Sequence, residues 1–580
     1  MGKDKQKKSK IKYKNLILVA LILFVLFFSI FILSRIEIIE DKENTMYLAN
    51  NTYKVPLLDK NFKEIKKETR GNKVKVIDSV NNNNSEYKKI LINNQEFYIL
   101  KDYLVNKKEN VVKEDKMYVG TSCTSYENLN TGKTKGNFKK GEELNIIGYD
   151  SLLDDGSVNA YKVKQDDNSV YVYSKYLVNS KDESLLQYEP DQYYDIHNKR
   201  SDVFSGVGGS GGSLDYYPVN KPKFKDNVMP DEVRALYLNS GSSVIGNIDQ
   251  YIEFAKTTKI NAFVVDIKDN ESPGYKSEIF KEYSPTNYKY ANNSFDKYKE
   301  AINKIKDAGF YVIGRITAFK DSYYVTDNPD SAIIDTRTNK AFDNGHYWPS
   351  PYQRSVWEFN VNLAKEAVKE MGFNEIQFDY VRFPDLIVSL EKKGCLDFRN
   401  IYNEEKIEVI QKFLMYACDE IHKLNTYVSV DVFGESVNTY ITAYGQYWPA
   451  ISNVVDVISG MPYPDHFSEN SYGIAKPWEQ PYDLIYNWSK NASLRQKEIP
   501  TPAIVRTWIL AQNTIKGFDY TKEHIKAQIQ ALIDGGLTGG YMTWSSNSSL
   551  QGYQNRKEAY QYEYTSRSEE RRVGKECRSR

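Results

Sequence analysis

Residues Glu375–Pro384 read EIQFDYVRFP. Apolar and polar residues alternate as in a β-strand, where neighbouring side chains point to opposite faces. Parity puts Gln377 and Asp379 on one face and Phe378 and Tyr380 on the other, and the run ends in Arg382 and a proline. A carboxylate on the inward face of a strand is costly unless it is paired or stands at an opening. Where Asp379 lies therefore depends on the architecture around it.

From Pro230 onward, strand-like runs alternate with amphipathic helical stretches, the pattern of a parallel sheet with helical crossovers. The runs are VRALYLNS, NAFVVDIKD, FYVIGRITAFK, EIQFDYVRF, YVSVDVFGE, VDVISGMPYP, AIVRTWIL and GGYMTWSS. Eight strand–helix rounds predict an α/β fold of the (β/α)8 TIM-barrel type over 229–552. An open doubly wound sheet is the alternative; the count of eight and the lack of a phosphate loop weigh against it.

In a barrel, inward-pointing residues alternate along each strand. The inward set then contains Asp266 and Lys268 from strand two, Arg315, Asp379, Asp431 and Glu435, followed by Arg506, Trp508 and Trp544. These charges lie toward the C-terminal ends of the strands, the face where barrel enzymes build their sites. Asp379 is thus expected at the mouth.

Carboxylates, arginines and tryptophans in a concave mouth suit carbohydrate chemistry. Glycosidic cleavage needs one carboxyl as acid and another as base or nucleophile, and indole faces give flat apolar platforms for sugar rings. All seven tryptophans fall in the barrel region. Trp357 and Trp488 sit in helical patterns and read as core, leaving Trp348, Trp448, Trp478, Trp508 and Trp544 as platforms. Asp379 leads as nucleophile or general base, the structural alternative being a partner for Arg382 or Arg315. Glu435 is the expected general acid, with a solvated loop acid as the alternative, and Asp465 in YPDHF is a third acid that the sequence does not rank against it. Asp431, deeper in its strand, is expected to orient Asp379 or an arginine. The substrate-binding set is Asp266, Lys268, Arg315, Arg382, Asp431, Tyr463, His466, Arg506, Trp508 and Trp544; for Arg315 and Arg506, core salt bridging competes with sugar binding. Of five histidines only His346 and His466 fall near the mouth, too few for a hydrolytic metal site, and no cofactor or metal is expected. No nucleophile elbow is present.

These segments carry a resemblance. FVVDIKD, GRITAFKD, NEIQFDYVRFP, VSVDVFGE, GMPYPDHF and PSPYQRSVWEFNVNLAKEA, spanning about Val233 to Ser549, are similar to a glycoside hydrolase domain family of bacterial envelope proteins, long catalogued as a domain of unknown function. The resemblance implies a TIM barrel related to glycosidases, with Asp379 as the leading catalytic carboxylate and Asp266, Arg315 and Asp431 in matching site motifs. Strand seven, VRTWILAQN, departs from the family's tendency toward LRPWLQDF, and strand eight, YMTWSSNSS, from LLWNAGN. Both departures bear on substrate contacts.

The rest of the 580 residues reads as delivery and spacing. Residues 1–15 carry seven lysines and form a basic tail. The uncharged run Leu16–Leu33 is long enough to cross a bilayer, so 16–34 is expected to be a transmembrane helix, uncleaved because no small-residue site follows, the alternatives being a cleaved signal peptide and a buried core helix. The lysines place the N-terminus in the cytoplasm and the barrel outside. Residues 41–108 and 116–180 echo each other, EFYILKDYLV recurring as SVYVYSKYLV, and resemble bacterial SH3-like modules. Such modules imply cell-wall attachment, or a spacer. Residues 181–228, with SGVGGSGGS, read as a flexible linker whose formal GxGxxG lacks the flanking strand and helix of a nucleotide site. The tail 567–580, RSEERRVGKECRSR, resembles a translated sequencing adapter and is expected to be an artefact, with a basic interaction tail as the alternative. Four cysteines without paired spacing indicate neither a zinc site nor a disulfide framework, and a net charge of +1 gives no footprint for nucleic acid.

Overall fold

The computed structural model describes residues 44–186, 206–211, 214, 218–497 and 499–565. The chain forms two compact units, one of 1–119 with 142–183, the other of 120–141 with 184–580. Two seven-stranded antiparallel sheets span 45–105 and 116–178, and each runs in the order third, second, sixth, fifth, fourth, first, seventh of its own strands. The echo in sequence is therefore an echo in topology. In the first sheet, Leu48, Val55, Leu57, Val74, Ile90, Phe97, Ile99 and Leu104 form the core, the product of period-two alternation in short strands.

The remainder is mixed α/β around a nearly closed parallel barrel. Its strands are β1 (Val233–Leu238), β2 (Ala262–Asp269), β3 (Tyr311–Thr317), β4 (Glu375–Asp379), β5 (Tyr427–Phe433), β6 (Val457–Met461), β7 (Thr507–Leu510) and β8 (Gly540–Trp544). Neighbours pair in parallel from β1 through β6, and β8 pairs with both β1 and β7. The ring is completed by Ile504–Val505, which pairs with β6 just before β7, and by the Arg506 N–H, which donates to the Ile458 carbonyl. The principal helices are α1 (Ile248–Lys256), α2 (Phe295–Asp307), α3 (Arg354–Met371), α4 (Lys406–Ile421), α5 (Trp448–Ser452), α6 (Pro481–Gln496), α7 (Lys522–Asp534) and α8 (Leu550–Asn555). Local signals bound them: Ser294 caps the start of α2, and Gly372, at φ 68°, ends α3 in the left-handed conformation that glycine adopts without a Cβ penalty.

Arg506 does not reach the mouth. It lies at the start of the β7 segment, fully buried, with Nη1 2.7 Å from Glu375 Oε1. Glu375 opens β4, so this ion pair belongs to the N-terminal layer of the barrel, which corrects the substrate-binding expectation for Arg506. Tyr311 donates to the other Glu375 oxygen.

The described parts of 181–228 beyond residue 205 are packed on the barrel unit, which corrects the flexible-linker expectation for them. Leu214 is buried with Ile407, Ile441, Tyr447 and Ala450. The N–H groups of Ser210 and Gly211 donate to the Glu405 carboxylate. Lys221 Nζ donates to the carbonyls of Asn453 and Val455 at 3.0 and 2.6 Å, and Asn227 Nδ2 to those of Asn374 and Asn425 at 2.8 and 2.7 Å. Glycine serves close approach here: a Cβ at Gly208 would lie 2.3 Å from the Thr442 carbonyl oxygen. Among the described residues no helix is long and apolar enough to cross a membrane; the Leu16–Leu33 run and the tail 567–580 lie outside the described residues.

Breaking a buried ion pair on one side strands the other charge. Arg506→Met is therefore expected to destabilise the barrel by about 3–5 kcal/mol, and the double variant Arg506→Met/Glu375→Gln by less. Urea unfolding of the two variants checks this.

Candidate active site

The C-terminal ends of β3 to β8 and the loops after them enclose a pocket of about 840 Å³. Of the residues expected at the mouth, Asp379, Glu435, Arg315, Arg382, Tyr463, His466, Trp508 and Trp544 line it.

Arg315 is the centre of its floor. Its Nη1 lies 2.7 Å from Asp266 Oδ1 and 3.2 Å from Asp269 Oδ1, while Nε and Nη2 reach Asp379 Oδ2 at 3.1 and 2.6 Å. Asp431 approaches Nε at 3.9 Å. The guanidinium also faces the rings of Tyr237 and Trp544 at 5.8 and 5.6 Å. Burial works against its charge, yet the facing carboxylates, Asp266 foremost, hold it firmly protonated.

Asp379 receives, besides the two bonds from Arg315, the backbone N–H of Tyr380 on Oδ1 at 2.6 Å. That N–H is aimed by an uncommon backbone: Tyr380 has φ 51°, a left-handed conformation that costs a non-glycine residue about 1–2 kcal/mol. Hydrogen bonds from Ala318 N–H to the Asp379 carbonyl and from Phe319 N–H to the Tyr380 carbonyl fix it in place.

Asp266 and Asp431 lie beneath the floor. Asp266 accepts from the Tyr237 hydroxyl at 2.6 Å, and burial pushes its carboxyl up to about 7, with Asp269 adding to the rise against the pull of Arg315. Asp431 accepts from Trp508 Nε1 at 2.7 Å, and burial followed by the Asp379 charge raises its carboxyl well above the ordinary range. Glu435, on the wall, is held by hydroxyls: Tyr440 donates to Oε1 at 2.8 Å and Tyr444 to Oε2. Burial pushes Tyr440 up to about 12 and Tyr444 higher still, so both remain donors.

Two further expected mouth residues lie elsewhere. The pairing of β2 with β3 shifts register between Asp266 and Lys268, a bulge that reverses parity. Lys268 consequently points away from the floor and forms a fully buried ion pair with Asp321 at 2.7 Å, over the Phe359 ring. Asp269 takes its place beside Arg315, a residue that strict alternation missed. Asp465 is buried and turned from the pocket: its oxygens bind His466 Nδ1 at 2.8 Å and the Ile515 N–H at 2.9 Å, so its tie to the pocket runs through His466. Among the platforms, Trp448 is core, packed edge-on against Trp488, and His346 pairs with Glu271. Sequence reading also missed Tyr440 and Tyr444, which sit in the loop SVNTYITAYGQ after β5. Two tyrosines four apart behind a strand-end glutamate were the available signal.

A parallel α/β barrel whose strand ends carry paired acids, arginines and a wall of aromatic rings defines a carbohydrate-active type of site. The family described as "Putative glycosyl hydrolase domain" matches residues 235–550, more than half of the chain, and the chain belongs to that family. Among curated proteins nothing matches it. Among solved structures it is similar to a hypothetical protein from Ruminiclostridium thermocellum, at 32% identity over 34% of this chain and 97% of that one, TM-score 0.28. It is also similar to the PgaB (BpsB) glycoside hydrolase domain from Bordetella bronchiseptica, at 13% identity over 58% of this chain and 100% of that one, TM-score 0.42. A β-N-acetylglucosaminidase of glycoside hydrolase family 20 is similar at 11% identity over 60% of this chain and 72% of that one, TM-score 0.37.

The position of Asp266 makes a pH prediction. Its carboxyl ordinarily titrates at 3.8 but at about 7 in the fold, so between those values the native state holds a proton that the unfolded chain releases. Its stabilising contribution is complete below about pH 4 and is lost as pH rises toward 7. Asp266→Asn carries no such titration. The melting temperature of the wild type relative to Asp266→Asn is expected to fall steadily across that window, as measured by calorimetry at matched pH values.

Proposed function

We propose that the protein is a glycoside hydrolase acting on a cell-envelope or secreted polysaccharide, with Asp379 as nucleophile or general base and Glu435 as general acid. The observation that carries this reading is the pair of acids on one aromatic pocket in contrasting dress. Asp379 faces three N–H donors, two of them from a cation, which suits a group that meets a positively charged, oxocarbenium-like carbon. Glu435 faces two neutral hydroxyls, able to donate or accept as a carboxyl gains and loses its proton. The rings of Tyr463 and Trp544, inclined by 28° with centroids 6.3 Å apart, and of Phe433 and Tyr472 give apolar surface for pyranose faces.

The cellular setting belongs to the same proposal. The Leu16–Leu33 run would anchor the chain with its barrel outside the cell, and the two seven-stranded sheets would be SH3-like modules that hold wall polymer or act as a spacer. The uncharged Leu16–Leu33 run behind seven lysines and the shared strand order of the two sheets support this setting. A second reading, a barrel that binds glycan without cleaving it, is favoured by the tight Arg315–Asp379 pairing, which leaves the Asp379 side chain only 9% exposed.

Asp379→Asn is expected to lower release of reducing ends from wall or secreted polysaccharide by about a thousandfold or more, and Glu435→Gln by about a hundred- to ten-thousandfold, with glycan binding retained in both. A wild type that binds polysaccharide across a broad panel and releases no reducing ends establishes the second reading instead. Cell fractionation of the full chain tests the anchor: recovery in the soluble fraction removes it.

A further inference from the structure

Two arginines line the pocket, and they are in opposite situations. Arg315 has its donors taken up by carboxylates. Arg382, at the end of EIQFDYVR, has a side chain only 6% exposed, and of its three nitrogens only Nη1 is engaged among the described residues, with the Phe383 carbonyl at 3.0 Å. Asp385 stands 3.6 Å from the same nitrogen, beyond hydrogen-bond distance, and is nearly half exposed. Nε and Nη2 have no partner among the described residues.

The guanidinium is held by rings. It faces Phe433 at 4.4 Å, Tyr380 at 4.9 Å, Trp348 at 5.2 Å and Tyr444 at 5.9 Å. Cation–π contacts fix the plane of a guanidinium and leave its N–H edge unsatisfied. A second cation shares two of the rings: Lys320 Nζ lies 4.8 Å from Tyr380 and 5.9 Å from Trp348. Burial and the neighbouring Arg382 charge lower the lysine's proton affinity. Two like charges on one pair of rings repel, and an arriving anion relieves that repulsion while it satisfies the open fork. The carboxylates acting on Lys320 are Asp269, Asp385 and Glu271, of which Asp269 is bound to Arg315 and Glu271 to His346 and Ser322; on the other side of Arg382, Glu435 is held by the Tyr444 and Tyr440 hydroxyls.

We infer that Arg382, with Lys320 beside it, is an anion-recognition subsite, and that the glycan taken by this pocket carries a negative group, a carboxylate or a phosphate, on a residue next to the reacting sugar. The fork of Arg382 binds that group bidentately, Lys320 adds charge at the rim, and the four rings exclude water from the pair. This deepens the hydrolase reading and rests on it for the word "reacting"; the binding claim stands by itself.

The test is calorimetric titration of the full-length Asp379→Asn protein, which binds without turnover under that reading. The probes are α-1,4-galacturonate oligomers, their fully methyl-esterified and therefore neutral counterparts, and glycerol phosphate oligomers. The charged uronate or the phosphate is expected to bind at least about tenfold more tightly than the ester, and which of the two does so separates the sources of charge. That preference is expected to shrink to under about threefold with Arg382→Gln added, and to be partly kept with Arg382→Lys, which retains charge without the fork. Lys320→Met, at a half-buried position against two of the cage rings, is expected to weaken the charged probes alone by about threefold and leaves a variant in hand should the arginine replacements fail to fold. Equal binding of acid and ester overturns the inference, as does the absence of saturable binding by every anionic probe, or a preference untouched by both Arg382→Gln and Lys320→Met. Turnover of a neutral polysaccharide by the wild type without any anion preference overturns this inference and leaves the hydrolase. Arg382-dependent anion binding with no turnover of any glycan does the reverse.

Discussion

The floor of the pocket depends on a single cation surrounded by four acids. Arg315 draws carboxylates from β2, β4 and β5 toward one point, and without it those groups would repel one another across a buried space. The arrangement is balanced by protons as well as by the guanidinium: the two deepest acids, Asp266 and Asp431, are the ones whose protonated forms burial favours. Tyr237 takes part twice, donating to Asp266 and presenting its ring to the guanidinium, so β1 is tied into the same unit although it contributes no charge.

Asp379 and Tyr380 are best understood as one device. A carboxylate pinned by a side chain alone can swing about its terminal bond; the Tyr380 N–H removes that freedom by holding the second oxygen. The left-handed backbone needed to aim this N–H is maintained by carbonyl contacts with the segment after β3. The same turn carries the Tyr380 ring over to the Arg382 cage. One strained residue therefore couples the floor of the pocket to its rim, the kind of site at which strain is usually found.

Much of this was legible in the chain because barrels obey parity. Asp379, Arg315, Asp431, Trp508 and Trp544 emerged on the side that alternation assigns them, and the duplication of the N-terminal β modules, though not their strand order, was visible in the YLV echo. The misreadings have physical causes. A bulge is an extra residue with no residue-type signature, so nothing in VVDIKD announces that Lys268 and Asp269 exchange faces. Depth along a strand is similarly hidden: Arg506 has the correct parity and the wrong layer, because the chain does not state where strand seven begins. Asp465 looked like a free acid because its histidine and amide partners come from the next residue and from a loop fifty residues later. The Tyr440 and Tyr444 clamp needed the loop after β5 to fold back on Glu435, which local pattern does not encode.

The glycine-bearing strap ahead of β1 also changes where the barrel begins as a mechanical object. Tension carried along the chain from residue 206 onward meets the Glu405 cradle, then Leu214, then Lys221 across its carbonyls, and only afterward Asn227 and the first strand. These attachments lie in series along the chain, so a pull peels them one after another and the hydrogen-bonded ring is loaded last. A pull along this segment reaches the geometry around the arginine only after those attachments part.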